Sequence, residues 1–124
     1  MGKPIDKIIM FHLAVGDIEK TKAFFVNILG FKTTKDSNDF LPGTDRWVTM
    51  EAPGGGAAIT LTTVHENMKP GTMKLYISAP DIEKAFKELT DKGLKPRGGI
   101  RHEQWGTAFE FRDPEGNQWV VMQS

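Results

Sequence analysis

Phe11-His12-Leu13-Ala14-Val15-Gly16-Asp17-Ile18-Glu19-Lys20 reads as a strand running straight into a helix. It returns as Leu75-Tyr76-Ile77-Ser78-Ala79-Pro80-Asp81-Ile82-Glu83-Lys84. The tetrapeptide Asp17-Ile18-Glu19-Lys20 is repeated without change as Asp81-Ile82-Glu83-Lys84, 64 positions later. Such repetition decides architecture before any local reading, because each copy is one unit that must bury its apolar face against a neighbour. The 124 residues suffice for one ordinary domain. A unit of about 60 residues is marginal alone, so the two copies are expected to share one sheet or one core.

Composition narrows the function classes. Lys plus Arg and Asp plus Glu number 16 each, with no block of like charge, which leaves neither the basic stripe of a nucleic-acid binder nor the basic face of a membrane-surface helix. There is no cysteine, so a disulfide framework, a thiolate metal site and a cysteine nucleophile are excluded. The first residues lack a basic-then-apolar leader pattern, and no apolar run approaches the ~20 residues of a membrane span. The expected location is the cytoplasm.

The first copy opens with a strand over 7–15. Ile9, Phe11, Leu13 and Val15 share one face, and Ile8, Met10, His12 and Ala14 the other. His12 is the only polar side chain on its face. Asp17 suits an N-cap and Glu19 the positive end of a helix. Ile18, Phe24, Phe25, Ile28 and Leu29 form its apolar stripe, and Gly30 stops it. A short strand over 31–36, a loop over 37–45, an alternating strand over 46–51, a turn at Pro53-Gly54-Gly55-Gly56 and a returning strand over 57–63 complete the copy. That glycine run has no following helix and no Lys-Ser/Thr, so it is hairpin chemistry and not a phosphate loop. After a polar connector over 64–71, the second copy repeats the order: a strand over 73–78, a helix with Ile82, Ala85, Phe86 and Leu89 on its stripe, a brief strand over 94–96, and a loop over 97–104. Strands from 106 to 112 and from 118 to 122 follow, separated by the turn Asp113-Pro114-Glu115-Gly116.

Several pieces in this order resemble the vicinal oxygen chelate superfamily, which includes glyoxalase I, extradiol dioxygenases, fosfomycin-resistance enzymes and bleomycin-resistance proteins. They are the apolar strand into Asp17-Ile18-Glu19-Lys20, Phe24-Phe25, Leu29-Gly30-Phe31, Trp105-Gly106, and Phe111-Arg112-Asp113-Pro114-Glu115-Gly116-Asn117. The resemblance covers nearly the whole chain. It implies an α+β fold, one domain over 1–124 made of two βαβββ modules (about 5–64 and 72–124), whose strands curl into a mixed sheet around a concave ligand cup. It also implies a homodimer.

The family's metal site takes four side chains facing the cup, from the first and last strand of each module. Carried onto this chain they are His12, Thr60, Tyr76 and Val120. The departure from the family pattern is large. Valine has no donor atom, a threonine hydroxyl is a poor one and a neutral phenol a weak one, whereas a catalytic cation takes about three protein ligands. No metal and no other cofactor is therefore expected; a divalent metal held through a shifted alignment by His65, Glu66, His102 or Glu103, all in expected loops, is the alternative.

The remaining candidates are His12 and Tyr76 as catalytic groups, since imidazole is the side chain that changes charge near neutrality, and the aromatic set Trp47, Tyr76, Trp105, Phe109, Phe111 and Trp119. Core packing and a dimer interface account for most of the aromatics. Trp105, at a loop-to-strand edge, is a candidate guard of the cup's mouth, while Trp119 points away because its neighbour Val120 points in. Glu110 either faces the cup as a base or, the favoured reading, faces solvent beside Arg112. The expected ligand contacts are His12, Trp47, Thr60, Tyr76, Trp105 and Val120. The expected function is metal-free binding of a hydrophobic or aromatic small molecule, as in bleomycin-resistance-type members. The alternatives are a metal-dependent glyoxalase-like lyase or dioxygenase, a metal-independent isomerase or hydrolase using His12 and Tyr76, and an interaction module whose cup is filled by its own side chains.

Overall fold

The structure, a computed structural model, describes residues 4–37, 46–63 and 68–124. Most of the expected loop before Arg46, and the connector positions 64–67 with His65 and Glu66, lie outside the described residues. The first copy comprises β1 (Met10–Ala14), α1 (Ile18–Asn27), β2 (Lys32–Ser37), β3 (Trp47–Glu51) and β4 (Ala58–Thr62). The second comprises β5 (Lys74–Ala79), α2 (Ile82–Asp91), β6 (Arg101–Glu103), β7 (Gly106–Arg112) and β8 (Gln118–Gln123). No described helix is long and apolar enough to cross a membrane.

The repeated tetrapeptide does the same work twice. Asp17 and Asp81 are both N-caps in extended backbone, accepting the N–H of Lys20 at 3.1 Å and of Lys84 at 3.2 Å. Glu19 and Glu83 occupy the first turns, where the helix dipole favours negative charge. The sheets repeat as well. The first is ordered β1-β4-β3-β2 and the second β5-β8-β7-β6, each with one parallel pair, β1 with β4 and β5 with β8. The two-module α+β fold is thus present, with the strands hydrogen-bonded as two four-stranded mixed sheets.

Both sheets fill one core. Leu13, Val48, Met50, Ile59 and Leu61 of the first cluster with Leu75, Phe109, Phe111, Trp119 and Val121 of the second. Phe25 of α1, fully buried, joins them: its ring lies 5.2 Å from Phe31 and 5.4 Å from Trp119. Phe24 reaches Phe111 at 5.9 Å, and Phe86 of α2 meets Phe109 edge-on at 5.1 Å. α1 packs on its own sheet and also reaches Phe111 and Trp119 of the other, while α2 packs on the sheet of its own copy, and the shared core makes up for the small core that each copy would have alone.

Three sequence expectations are corrected. Ile8 and Ile9 are 76% and 70% exposed and precede β1; the strand begins at Met10 because its partner β4 begins opposite, at Ala58. The short strand expected over 94–96 is absent. Gly93, at φ 106°, instead ends α2 with Gly93 N–H donating to Thr90 O at 3.0 Å and Leu94 N–H to Leu89 O at 2.9 Å. This helix-terminating motif turns Leu94 into the core as its apolar anchor. The third strand of the copy is Arg101–Glu103, expected to be loop, which pairs with Gly106–Ala108.

The turn between β7 and β8 is built on buried Asp113. Its carboxylate accepts the N–H groups of Glu115 and Asn117 at 3.0 Å each, Asn117 Nδ2 at 2.9 Å and Trp119 Nε1 at 3.0 Å. Asn117 Oδ1 in turn accepts Met73 N–H at 2.9 Å. Four donors on one carboxylate leave it fully satisfied, the condition under which a buried acid is tolerated.

Candidate functional site

Strand alternation decides which side chains face away from the core. Phe11 and Leu13 of β1 pack inward, which turns His12 outward; Ile59 and Leu61 do the same for Thr60, and Val48 and Met50 for Thr49. Register then aligns them across the sheet: His12 opposite Thr60, and Thr60 opposite Thr49. Thr49 Oγ1 and Thr60 Oγ1 are hydrogen-bonded at 2.9 Å, and both residues are buried. The His12 ring meets the Trp47 ring edge-on at 5.0 Å. His12, Trp47, Thr49 and Thr60 thus form one face.

The second sheet forms the matching face. Leu75, Phe109, Phe111, Trp119 and Val121 point into the core, so Lys74, Tyr76, Glu110, Val120 and Met122 point away. Tyr76 stands opposite Val120, and Val120 opposite Glu110. With Arg101 and Trp105 they line a hollow of about 300 Å³. Tyr76 and Trp105 are 60% and 56% exposed, whereas Val120 is buried. Glu110 is not solvated beside Arg112, as the sequence suggested: its side chain is 15% exposed, pairs with Arg101 Nη2 at 3.0 Å through one oxygen and accepts a hydrogen bond from Gln118 through the other. Partly buried beside β6, this carboxylate is stabilised by a partner on each oxygen.

The four positions carried over from the family therefore fall into two adjacent pairs, His12 beside Thr60 and Tyr76 beside Val120, on two different sheets. No hydrogen bond or ring contact joins His12 to Tyr76 among the described residues. As a donor set the four do not fit a divalent cation: one imidazole, one hydroxyl already engaged with Thr49, one phenol and one alkyl chain. His102 and Glu103 lie on β6, exposed, with His102 Nδ1 3.3 Å from Thr107 Oγ1. Among the described residues no group of three or more His, Cys, Asp or Glu converges.

Two further hollows lie elsewhere. One of about 270 Å³ runs along the seam between the copies, against Phe11, Ile59, Leu75 and Trp119. The other, about 570 Å³ and the largest of these three, opens between α2 and the β3–β4 turn, against Leu29, Pro53, Ile77, Leu89 and Phe111. Its walls are mostly aliphatic, and it includes none of the four family positions.

Residues 7–121 match the Glyoxalase/Bleomycin resistance protein/Dioxygenase superfamily. The chain belongs to this superfamily. Solved structures overlay on nearly its whole length. TnmS3, an antibiotic binding protein from Streptomyces sp. CB03234, is 26% identical with a TM-score of 0.87, covering 98% of each chain. A superfamily member from Sphaerobacter thermophilus DSM 20745 is 29% identical with a TM-score of 0.83, covering 97% of this chain and 98% of its own. A glyoxalase/bleomycin resistance protein from Streptomyces sp. CB03234 is 26% identical with a TM-score of 0.80, covering 94% and 100%. No curated protein matches the chain. Sequence reasoning missed Lys74, Thr49, Arg101 and Met122 as lining residues. For Thr49 the signal was present, since it alternates in step with Trp47; Arg101 was hidden because a three-residue strand has no period to read.

Proposed function

We propose that this superfamily member binds a hydrophobic, aromatic small molecule without a metal, as a homodimer. The observation that carries the reading is the Tyr76 face: two exposed aromatic rings, Tyr76 and Trp105, flank a hollow floored by Val120 and Met122. Large exposed rings around an apolar floor are the usual lining of a pocket for a flat ligand. Likeness to TnmS3, described as an antibiotic binding protein, supports a small-molecule ligand. The donor chemistry of His12, Thr60, Tyr76 and Val120 supports binding over metal-dependent lyase or dioxygenase chemistry.

Two observations support the dimer. The His12 face and the Tyr76 face belong to separate sheets of one chain, so a cup built from both kinds of face is completed by a second copy. Ile5, Ile8 and Ile9, 80%, 76% and 70% exposed, lead into β1, which stands at the end of its sheet's order. A run of exposed isoleucines beside a strand edge is a surface that association covers.

The test is a tryptophan fluorescence titration with a panel of planar aromatic compounds, run beside light scattering. The reading expects saturable quenching that Trp105→Phe weakens, and a mass of two chains. No quenching by any compound would sink the ligand reading, and a stable monomer the dimer.

A further inference from the structure

The charges around the Tyr76 face say more than its aromatic rings do. Its charged groups are Lys74, Arg101 and Glu110. Glu110 is engaged at both oxygens: Arg101 Nη2 pairs with one and Gln118 Nε2 donates to the other. That carboxylate therefore neutralises Arg101 and holds it in place. Lys74 differs. No acid pairs with it among the described residues, and its ammonium sits 5.6 Å from the centroid of the Tyr76 ring. Two cations and one anion leave the hollow with one uncompensated positive charge, at the edge of the ring that an aromatic ligand would meet.

Resting on the aromatic-ligand reading above, we infer that this face selects planar aromatic molecules that carry one anionic substituent, a carboxylate or a phenolate, with Lys74 as the counter-charge. The aromatic body displaces water from Val120, Met122 and Trp105. The anion takes the ammonium from a weak contact with a ring face to a charge-assisted hydrogen bond, which is the stronger of the two. Lys74 is exposed on β5 and outside the core, so its loss removes the charge without disturbing the fold. Arg101, held by Glu110, is a positioning residue: its remaining guanidinium N–H groups can orient the anion but add no net charge to the pair.

A matched series decides it. 2-Naphthoate, 2-naphthalenemethanol and 2-naphthalenemethylamine share one ring system and differ in charge, and calorimetry at low salt ranks them. The expected order is naphthoate tightest, by about tenfold over the alcohol, and the amine weakest. Lys74→Met is expected to collapse the roughly tenfold preference for naphthoate over the alcohol to about one. Added salt is expected to weaken the naphthoate complex alone. Equal binding of acid and alcohol, preference for the amine, or a Lys74→Met variant that keeps the naphthoate advantage would overturn the inference while leaving the aromatic-ligand reading intact. Failure of all three compounds to bind would overturn both.

Discussion

Glu115, in the turn between β7 and β8, accepts the backbone N–H of Asp17 at 2.8 Å, although 98 positions separate them. Asp17 is the cap of α1, so the second copy finishes the helix start of the first. The same oxygen accepts Thr21 Oγ1 at 3.3 Å from a buried threonine. Glu115→Ala strips a partner from both donors and removes negative charge from a helix N-terminus. A loss of about 1–3 kcal/mol is expected in urea unfolding, with an unchanged slope. A variant as stable as the parent would show that the contact contributes nothing.

Gly71 lies against that same turn. Its φ is +80°, and a Cβ placed there would come 2.3 Å from the carbonyl oxygen of Glu115. Gly71→Ala is expected to cost at least about 2 kcal/mol, combining backbone strain with a displaced turn. Gly54→Ala, where nothing stands within 4 Å and φ is not positive, is expected to be neutral or slightly stabilising. Equal melting temperatures for the two variants would contradict this account.

Asp113→Ala leaves four donors without an acceptor, one of them the indole N–H of buried Trp119. Unmatched buried donors cost about 1–3 kcal/mol each before relaxation, so a loss of at least about 3 kcal/mol is expected. Near-ultraviolet dichroism should change as well, because Trp119 stacks on Phe111 at 6.0 Å. Retention of both stability and spectrum would mean that the network is dispensable.

Trp105 and Phe25 separate binding from folding. Trp105→Ala removes a half-exposed ring from the hollow and is expected to weaken aromatic ligands about tenfold to a hundredfold, while the melting temperature stays within a few degrees, about the scatter of surface changes. Phe25→Ala empties a fully buried site between Phe31 and Trp119 and is expected to cost about 3–5 kcal/mol. Loss of binding by Phe25→Ala at full stability would reverse the assignment.

For metals, binding to the folded chain alone would raise its melting temperature with concentration. Ni, Zn or Mn at tenfold excess is expected to leave it unmoved, since His12 is the only strong donor among the four family positions. A rise of several degrees that His12→Ala abolishes would show that a cation is held there after all.

The repeat made much of this readable in advance. Asp17 and Asp81 cap helices in both copies because an N-cap needs only one side chain and its own backbone, and alternation placed Trp119 inward and Val120 outward for the same local reason. Glu110 was misread because its environment is set by Arg101, on a strand too short to have a pattern, and by Gln118, which reaches it only through the pairing of β7 with β8. Leu94 was misread as strand because a helix-ending motif and a brief strand share the same residue types.

By itself the sequence determined the order of elements, the two copies, the caps and which face of each strand is apolar, since these depend on neighbours a few positions apart. Only the tertiary structure decided that the α1 rings reach Phe111 and Trp119 of the other copy, that His12 and Tyr76 stand on different sheets, and that Glu110 pairs with Arg101 while Lys74 is left over. Those outcomes depend on groups brought together from distant positions, and pairing of charges and hydrogen bonds is a property of distance in space that no spacing along the chain encodes.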